Sequence, residues 1–309
     1  MFARITFVLV CMVTSAAAHD PARVQYAVVN GIAESKASAA TPNTPFAIAS
    51  VGKTLTSVVV LQFAERGVWV IDDTVAKHLP EPVVNGLDGL TGITTRHLLT
   101  MTSGLPDYYD DFYLAAARDD PDVIQTPLAA ISFAYDQPRQ FKPDSRFDYS
   151  NTNYVLLGIM LEHVSGETYA DILNQNIFVP VGMTNSFVMG SRPLPRNFAI
   201  GHEDGEHIRD YYNGTGFGDG GAISTAVDLE AFYRALFQGD HLLNAQSLTQ
   251  MTTVDNGSQY GMGLVVDGQF VGHSGADLGF TSSIGMDRAT GNISVILAAD
   301  ADADMTWLD

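Results

Sequence analysis

Residues 50–66 carry Leu55, Val58, Val59, Val60, Leu61 and Phe63 with little polar surface between them, and neither Gly nor Pro interrupts the run after Gly52. A helix that is apolar on most sides is buried on most sides. The pattern therefore predicts a central helix with Ser50 near its first turn and Gly67 as its stop. Residues 155–164 form a second apolar helical run, closed by Ser165 and Gly166. Residues 226–237 place Leu229, Phe232 and Leu236 on one face, behind the N-cap candidates Ser224 and Thr225 and ahead of Gly239.

Toward both ends the period shortens. Residues 24–29 are β-prone and end in Asn30-Gly31, and residues 46–49 lead directly into Ser50. Residues 260–266 and 269–272 read as a hairpin through Asp267-Gly268. Residues 280–286 and 293–298, joined through 287–291, continue it as an antiparallel meander. Between these ends, residues 70–210 look mainly helical. Strands at both ends with helices between predict an α+β fold, in which distant segments complete one antiparallel sheet around a helical insertion. The sheet domain is placed at 19–75 and 210–309, and the insertion at 76–209.

The first twenty residues change the picture. Arg4 precedes an apolar run over 5–13 and then Ala16, Ala17 and Ala18, the pattern of a cleavable secretory leader over 1–18. A run of that length is too short for a bilayer of roughly 30 Å. Val10 before Cys11 is not the small residue of a lipid-attachment site. The expectation is a periplasmic or secreted protein with no integral membrane segment after cleavage. Cys11 is the single cysteine, so a chain beginning at His19 has none and relies on its core for stability. With 46% apolar and 17% charged residues it has the composition for such a core. Sixteen basic and thirty-five acidic residues give a net charge of −19, and loss of Arg4 makes it −20. That balance argues against nucleic acid as a partner.

Residues 47–54, AIASVGKT, carry two competing signatures. Gly52-Lys53-Thr54 matches the end of a phosphate-binding loop, but the first glycine of GxxxxGK[ST] is replaced by Ala47, and the strands around it read as antiparallel. Ser50 and Lys53 form SxxK instead, and residues three apart share a helix face. A serine hydroxyl needs a base. A lysine serves only when neutral, and lowering its pKa from 10.4 to about 8 takes roughly 3 kcal/mol, which burial in an apolar helix can supply. On its own SxxK carries little information, since Ser and Lys are frequent residues.

Two further elements add to it. Tyr149-Ser150-Asn151 supplies YxN, and His273-Ser274-Gly275 supplies HxG on a β-run. In this order the three motifs resemble the serine β-lactamase and DD-peptidase superfamily, nearest its class C β-lactamase, R61-type carboxypeptidase and family VIII esterase branch. HLLTMTSGLPDY (97–108), FDYSNTNYVLLG (147–158), VGMTNSF (181–187) and GGAIST (220–225) extend the likeness from about residue 27 to 298. Other signals are set aside. In HEDGEH (202–207) Asp204-Gly205 reads as a turn rather than the helix of an HExxH metal site. Residues 171–174 lack the Glu of ExxLN because position 170 is Ala, and no GxSxG elbow occurs.

The resemblance implies an α/β/α sandwich with a central antiparallel sheet and an inserted helical domain, working together as one catalytic unit. It implies an acyl-enzyme on Ser50, with Lys53 and Tyr149 sharing the proton transfers, and it leaves open which of the two is ionised. Asn151, His273, Ser274 and Gly275 are implied to bind substrate, and the backbone N–H groups of Ser50 and Ala276 to form the oxyanion hole. Neither metal nor cofactor is implied. The substrate is a small molecule or a peptidoglycan-type peptide, cleaved at an amide or ester as by a carboxypeptidase, a β-lactamase relative or an esterase. The alternative is a penicillin sensor that is acylated without turnover.

Three positions depart from the superfamily. His273 stands where its β-lactamases carry Lys, which favours the peptidase and esterase relatives. Met101 stands where relatives often have His, and Asp144 where Gly often follows Pro. Short flanks beyond the terminal strands lead to the expectation that a partner or second copy covers one sheet face. Residues 107–122 read as a pocket-shaping loop.

Overall fold

The computed structural model describes residues 25–29, 40–120, 126–203, 206–207, 216–239, 241–255, 257–301 and 303. The leader, the Asn30-Gly31 turn, the N-terminal flank (19–23) and most of the C-terminal flank (300–309) lie outside these residues, so the covered-face expectation falls largely outside them. Ten strands are described: β1 (Gln25–Val29), β2 (Phe46–Ala47), β3 (Phe187–Val188), β4 (His202–Glu203), β5 (Glu206–His207), β6 (Ala222–Ser224), β7 (Val265–Asp267), β8 (Phe270–Asp277), β9 (Phe280–Asp287) and β10 (Ile293–Ala298). The helices are α1 (Gly52–Glu65), α2 (Glu81–Gly86), α3 (Thr95–Leu99), α4 (Asp111–Asp119), α5 (Pro127–Ile131), α6 (Asn151–Ser165), α7 (Tyr169–Leu173), α8 (Val179–Val181), α9 (Ala226–Phe237) and α10 (Ala245–Met251).

The main sheet has the order β1-β10-β9-β8-β7, and β2-β6-β3 form a second small sheet. The α+β expectation holds, with α1–α8 contributed between β2 and β6. One pairing departs from it. Strand β1 runs parallel to β10, with Gln25 opposite Ser294. Parallel neighbours require a crossover connection, and here nearly the whole chain forms it. The other main-sheet pairings are antiparallel.

Helix α1 fulfils the sequence pattern: every residue from Gly52 to Phe63 is buried. Gly67 stops it at φ +73, with Val68 N–H closing onto the Phe63 carbonyl at 3.0 Å. Helix α9 has the predicted bounds, and Thr225 caps it by accepting from Asp228 N–H. Helix α6 ends at Gly166, which is left-handed at φ +71.

Two expectations are corrected. The strand expected over 260–266 is confined to β7, with only a bridge from Tyr260 to Val265. Gly263 takes φ +78 and its carbonyl accepts from Thr54 Oγ1 of α1 at 2.7 Å, so this stretch bonds the central helix instead of a ladder. Within 107–122, residues 111–119 are helix α4 rather than loop. Asp110 starts it, accepting from the N–H groups of Phe112 and Tyr113. His202–Glu203 and Glu206–His207 pair as the expected hairpin.

Candidate active site

Strand β2 delivers the chain into a 3-10 turn, Ala49–Val51, which runs without a break into α1. Ala49 sits at φ 45, in the left-handed region that side chains avoid. Packing holds it there. Ile48 N–H donates to Ala222 O at 3.1 Å, and Ser282 Oγ of β9 donates to Ile48 O at 2.7 Å. Ser50 is left partly exposed beside a buried wall.

Lys53, one turn on, is fully buried. Its amine donates to Ser50 Oγ at 2.9 Å, Asn151 Oδ1 at 2.7 Å and the Asp219 carbonyl at 2.5 Å. All three donors of an ammonium are thereby used. Burial lowers its pKa from 10.5 to about 8, against the opposing charges of Asp219, Asp107 and Asp277. Tyr149 lies under the same amine, with its ring centroid 5.1 Å from Nζ, and its hydroxyl contacts Ser50. Burial pushes this phenol well above its usual range, so it is protonated at neutral pH.

Asn151 begins α6, whose N-cap residue Ser150 makes no side-chain cap. Asp107 replaces that cap from another segment. Its carboxylate accepts from Asn151 N–H at 2.9 Å and from Asn151 Nδ2 at 3.1 Å. Neighbouring contacts stitch the same two segments together: Tyr108 N–H donates to Thr152 Oγ1, which donates to the Pro106 carbonyl. Burial raises Asp107 to about 6 and moves Asp219 and Asp277 upward as well.

On the sheet side, a Cβ added to Gly275 of β8 would lie 2.8 Å from Ser50 N and 2.7 Å from the Ile48 carbonyl. That contact sets the strand against the nucleophile's own N–H, with Ala276 the next residue along β8. His273 is 3% exposed. Its Nδ1 lies 2.5 Å from the Ser274 carbonyl, an acceptor only, so Nδ1 carries the proton and Nε2 accepts from Tyr260 O–H at 3.1 Å. Burial, followed by the charge on Lys53, lowers this imidazole to about 3. It is a neutral ring with both nitrogens engaged inside the protein, so any contact with substrate falls to its ring surface rather than to a charge.

The fold thus gathers Ser50, Lys53, Tyr149, Asn151, His273 and Gly275 where α1 and the start of α6 meet β8, with Ser274 and Ala276 on the same strand. Sequence reasoning missed Asp107, Tyr108, Tyr109, Asp219 and Asp277. Tyr108 O–H donates to Asp219 Oδ2 at 2.7 Å, and Tyr109 O–H to Asp277 Oδ1 at 2.8 Å. Available signals were the acids within SGLPDYY (103–109) and FGDGG (217–221), both inside segments rich in Gly and Pro. Among the described residues, no group of three His, Cys, Asp or Glu side chains is placed to share a metal ion.

A serine held at 2.9 Å from a buried, depressed amine, with a protonated phenol on the same hydroxyl, is equipped for acyl transfer; the fold around it is that of the active-site serine hydrolases. The family model described as Beta-lactamase matches residues 14–306, and the chain belongs to that family. Penicillin-binding protein 4* of Bacillus subtilis (strain 168) is 31% identical over 272 residues, covering 78% of this chain and 57% of its own length. The chain therefore spans little more than half of that curated relative.

Solved structures similar to it include a D-stereospecific amidohydrolase from Streptomyces sp., with TM-score 0.73, 29% identity and coverage of 86% of this chain and 85% of that one. A penicillin binding protein from Bacillus halodurans gives TM-score 0.73 and 28% identity over 87% and 84% of the two chains. D-amino acid amidase from Ochrobactrum anthropi SV3 gives 0.68 and 26% over 87% and 82%.

The Gly275 contact yields a direct test of the oxyanion geometry. Gly275→Ala forces β8 away from the Ser50 N–H, and kcat should fall by about 100-fold or more, the cost of losing one such donor. Steady-state kinetics with an activated ester measure it; a kcat within threefold of wild type, where ~0.6 kcal/mol is the whole effect, would contradict the arrangement.

Proposed function

We propose that this serine hydrolase is exported and cleaves an amide or ester through an acyl-enzyme on Ser50, with substrates that present no carboxylate beside the scissile bond. The observation that carries the reading is the Lys53 amine, buried 2.9 Å from Ser50 Oγ. When Lys53 is neutral, its two N–H groups stay on Asn151 Oδ1 and Asp219 O, and its lone pair faces the Ser50 hydroxyl. Ser50 Oγ adds to the carbonyl carbon as its proton passes to Nζ. The oxyanion lies between the N–H groups of Ser50 and Ala276. As the intermediate collapses, Tyr149 gives its proton to the leaving group and is reprotonated from Lys53. Water repeats the sequence to release the acid and free Ser50.

The substrate preference follows from charge. The charges acting on Lys53 are those of Asp219, Asp107 and Asp277, its own donors are committed, and His273 is neutral. A substrate carboxylate would meet repulsion without a compensating cation, whereas a neutral or amine-bearing acyl group would not. The D-stereospecific amidohydrolase and the D-amino acid amidase among the similar structures are named for cleavage of amides, which supports this preference.

Turnover should be compared for a D-amino acid amide, a short-chain p-nitrophenyl ester, a D-Ala-D-Ala peptide and a chromogenic cephalosporin, with Ser50→Ala as control. The amide and ester should be hydrolysed at least about tenfold faster in kcat/KM than the two carboxylate-bearing substrates, equivalent to ~1.4 kcal/mol of unfavourable charge. Preferential turnover of the cephalosporin or the peptide would overturn the charge argument, and stoichiometric acylation without turnover would establish the sensor instead.

The base assignment fixes the sign of the pH dependence. Burial depresses Lys53, so its base form is present above about pH 8 and is lost as pH falls through that value. Acylation should slow about tenfold per pH unit below 8, as single-turnover kinetics will show. A rate independent of pH from 6 to 9 would remove Lys53 as base. Export has its own readout: intact-mass measurement of protein recovered from the periplasm or medium should give a chain starting at His19. Retention of residues 1–18 there would refute the leader.

A further inference from the structure

Three walls of the site come from distant parts of the chain: the start of α6, the glycine turn at 216–221, and the end of β8. Three consecutive residues bond to all three. Asp107 holds the backbone and side chain of Asn151. Tyr108 holds the Asp219 carboxylate, whose own backbone carbonyl receives the Lys53 amine. Tyr109 holds Asp277, the residue after Ala276. The two tyrosines belong to one packed unit. The rings of Tyr108 and Tyr109 meet at 6.0 Å, and Tyr113 of α4 packs on both, at 4.8 and 5.3 Å.

We propose that Asp107, Tyr108 and Tyr109 form a positioning clamp that holds the catalytic walls in register, and that Asp107 determines which end of the Asn151 amide faces Lys53. An ionised carboxylate only accepts hydrogen bonds, so it draws Nδ2 of Asn151 and leaves Oδ1 for the amine. An amide at 107 removes that constraint. Asn151 is then free to turn its NH2 toward Lys53, where donor opposes donor and the amine loses the partner that aims it at Ser50. Tyr108 acts on the same amine from the other side through Asp219. Tyr109 acts on the oxyanion wall. None of the three needs to touch substrate.

The clamp rests on the Ser50 and Lys53 reading above and adds a distinct pH signature. The charged groups facing Asp107 are Lys53 from α1 and Asp219 from the glycine turn, with Asp277 of β8 facing the same amine. Buried among them, Asp107 keeps its proton up to about pH 6. Acylation should therefore depend on one proton between pH 6 and 8 and on two below 6, where protonated Asp107 releases Asn151. A role confined to stability would not alter that profile.

The experiment is single-turnover acylation by a p-nitrophenyl ester from pH 4.5 to 9 in wild type, Asp107→Asn, Tyr108→Phe and Tyr109→Phe, at temperatures where each is folded. Each variant should lower the acylation rate about 10- to 100-fold, as displaced reacting groups do, with KM changed less than about threefold. Asp107→Asn alone should abolish the steeper fall below pH 6. If Asp107→Asn does not fold, Tyr109→Phe with Asp277→Ala decides: the double variant should be no slower than the slower single variant, because both remove one contact. Wild-type acylation with variants that melt earlier but acylate at the wild-type rate and pH profile overturns the clamp alone. Failure of the wild type to acylate overturns the Ser50 reading, and the clamp with it.

Discussion

The amine of Lys53 has lost its water and keeps three oxygen partners, one from its own helix, one from the start of α6 and one from the glycine turn before β6. A buried ammonium is costly unless each donor is satisfied, so these segments must meet within a fraction of an ångström. Glycine makes the meeting possible. A Cβ on Gly218 would lie 2.3 Å from the Tyr154 carbonyl, one on Gly220 would lie 3.0 Å from Ala49 C, and one on Gly52 would lie 3.2 Å from Gly220 Cα. Backbone touches backbone at each point, and the Asp219 carbonyl reaches the amine only because no side chain intervenes.

That same burial sets the charge of the site. Desolvation moves Lys53 toward a usable base, holds Tyr149 protonated and strips His273 of any cationic form. Three carboxylates lie around a single amine, and burial shifts them upward too. The balance differs from a site built to hold an anionic substrate. In the proposed reaction, charge that develops on the carbonyl oxygen is met by backbone N–H groups.

Ser50, Lys53, Tyr149, Asn151 and Gly275 were legible in the sequence because each motif lies within a few residues on one helix or strand, where spacing dictates geometry. The central helix was legible for the same reason, its apolar positions leaving no exposed face. Contacts made across the chain were not. Asp107 meets Asn151 over 44 residues, Tyr108 meets Asp219 over 111, and Tyr109 meets Asp277 over 168, separations at which no periodicity speaks. The state of His273 was hidden because it depends on burial and on the charge of Lys53, which the spacing within HxG does not report. The departures at Met101 and Asp144 have a shared backbone feature: both residues take a positive φ, at 58 and 64. An aspartate tolerates that region better than most side chains, which fits Asp144 at a position where the resemblance led to an expectation of Gly.

Burial makes Lys53 a base at near-neutral pH. Its ionisation can be read directly by nitrogen NMR on protein carrying 15N-labelled lysine, with Lys53→Met to assign the signal. This one amine should titrate near pH 8, below its ordinary value of 10.5. Titration near the ordinary 10.5 would contradict it.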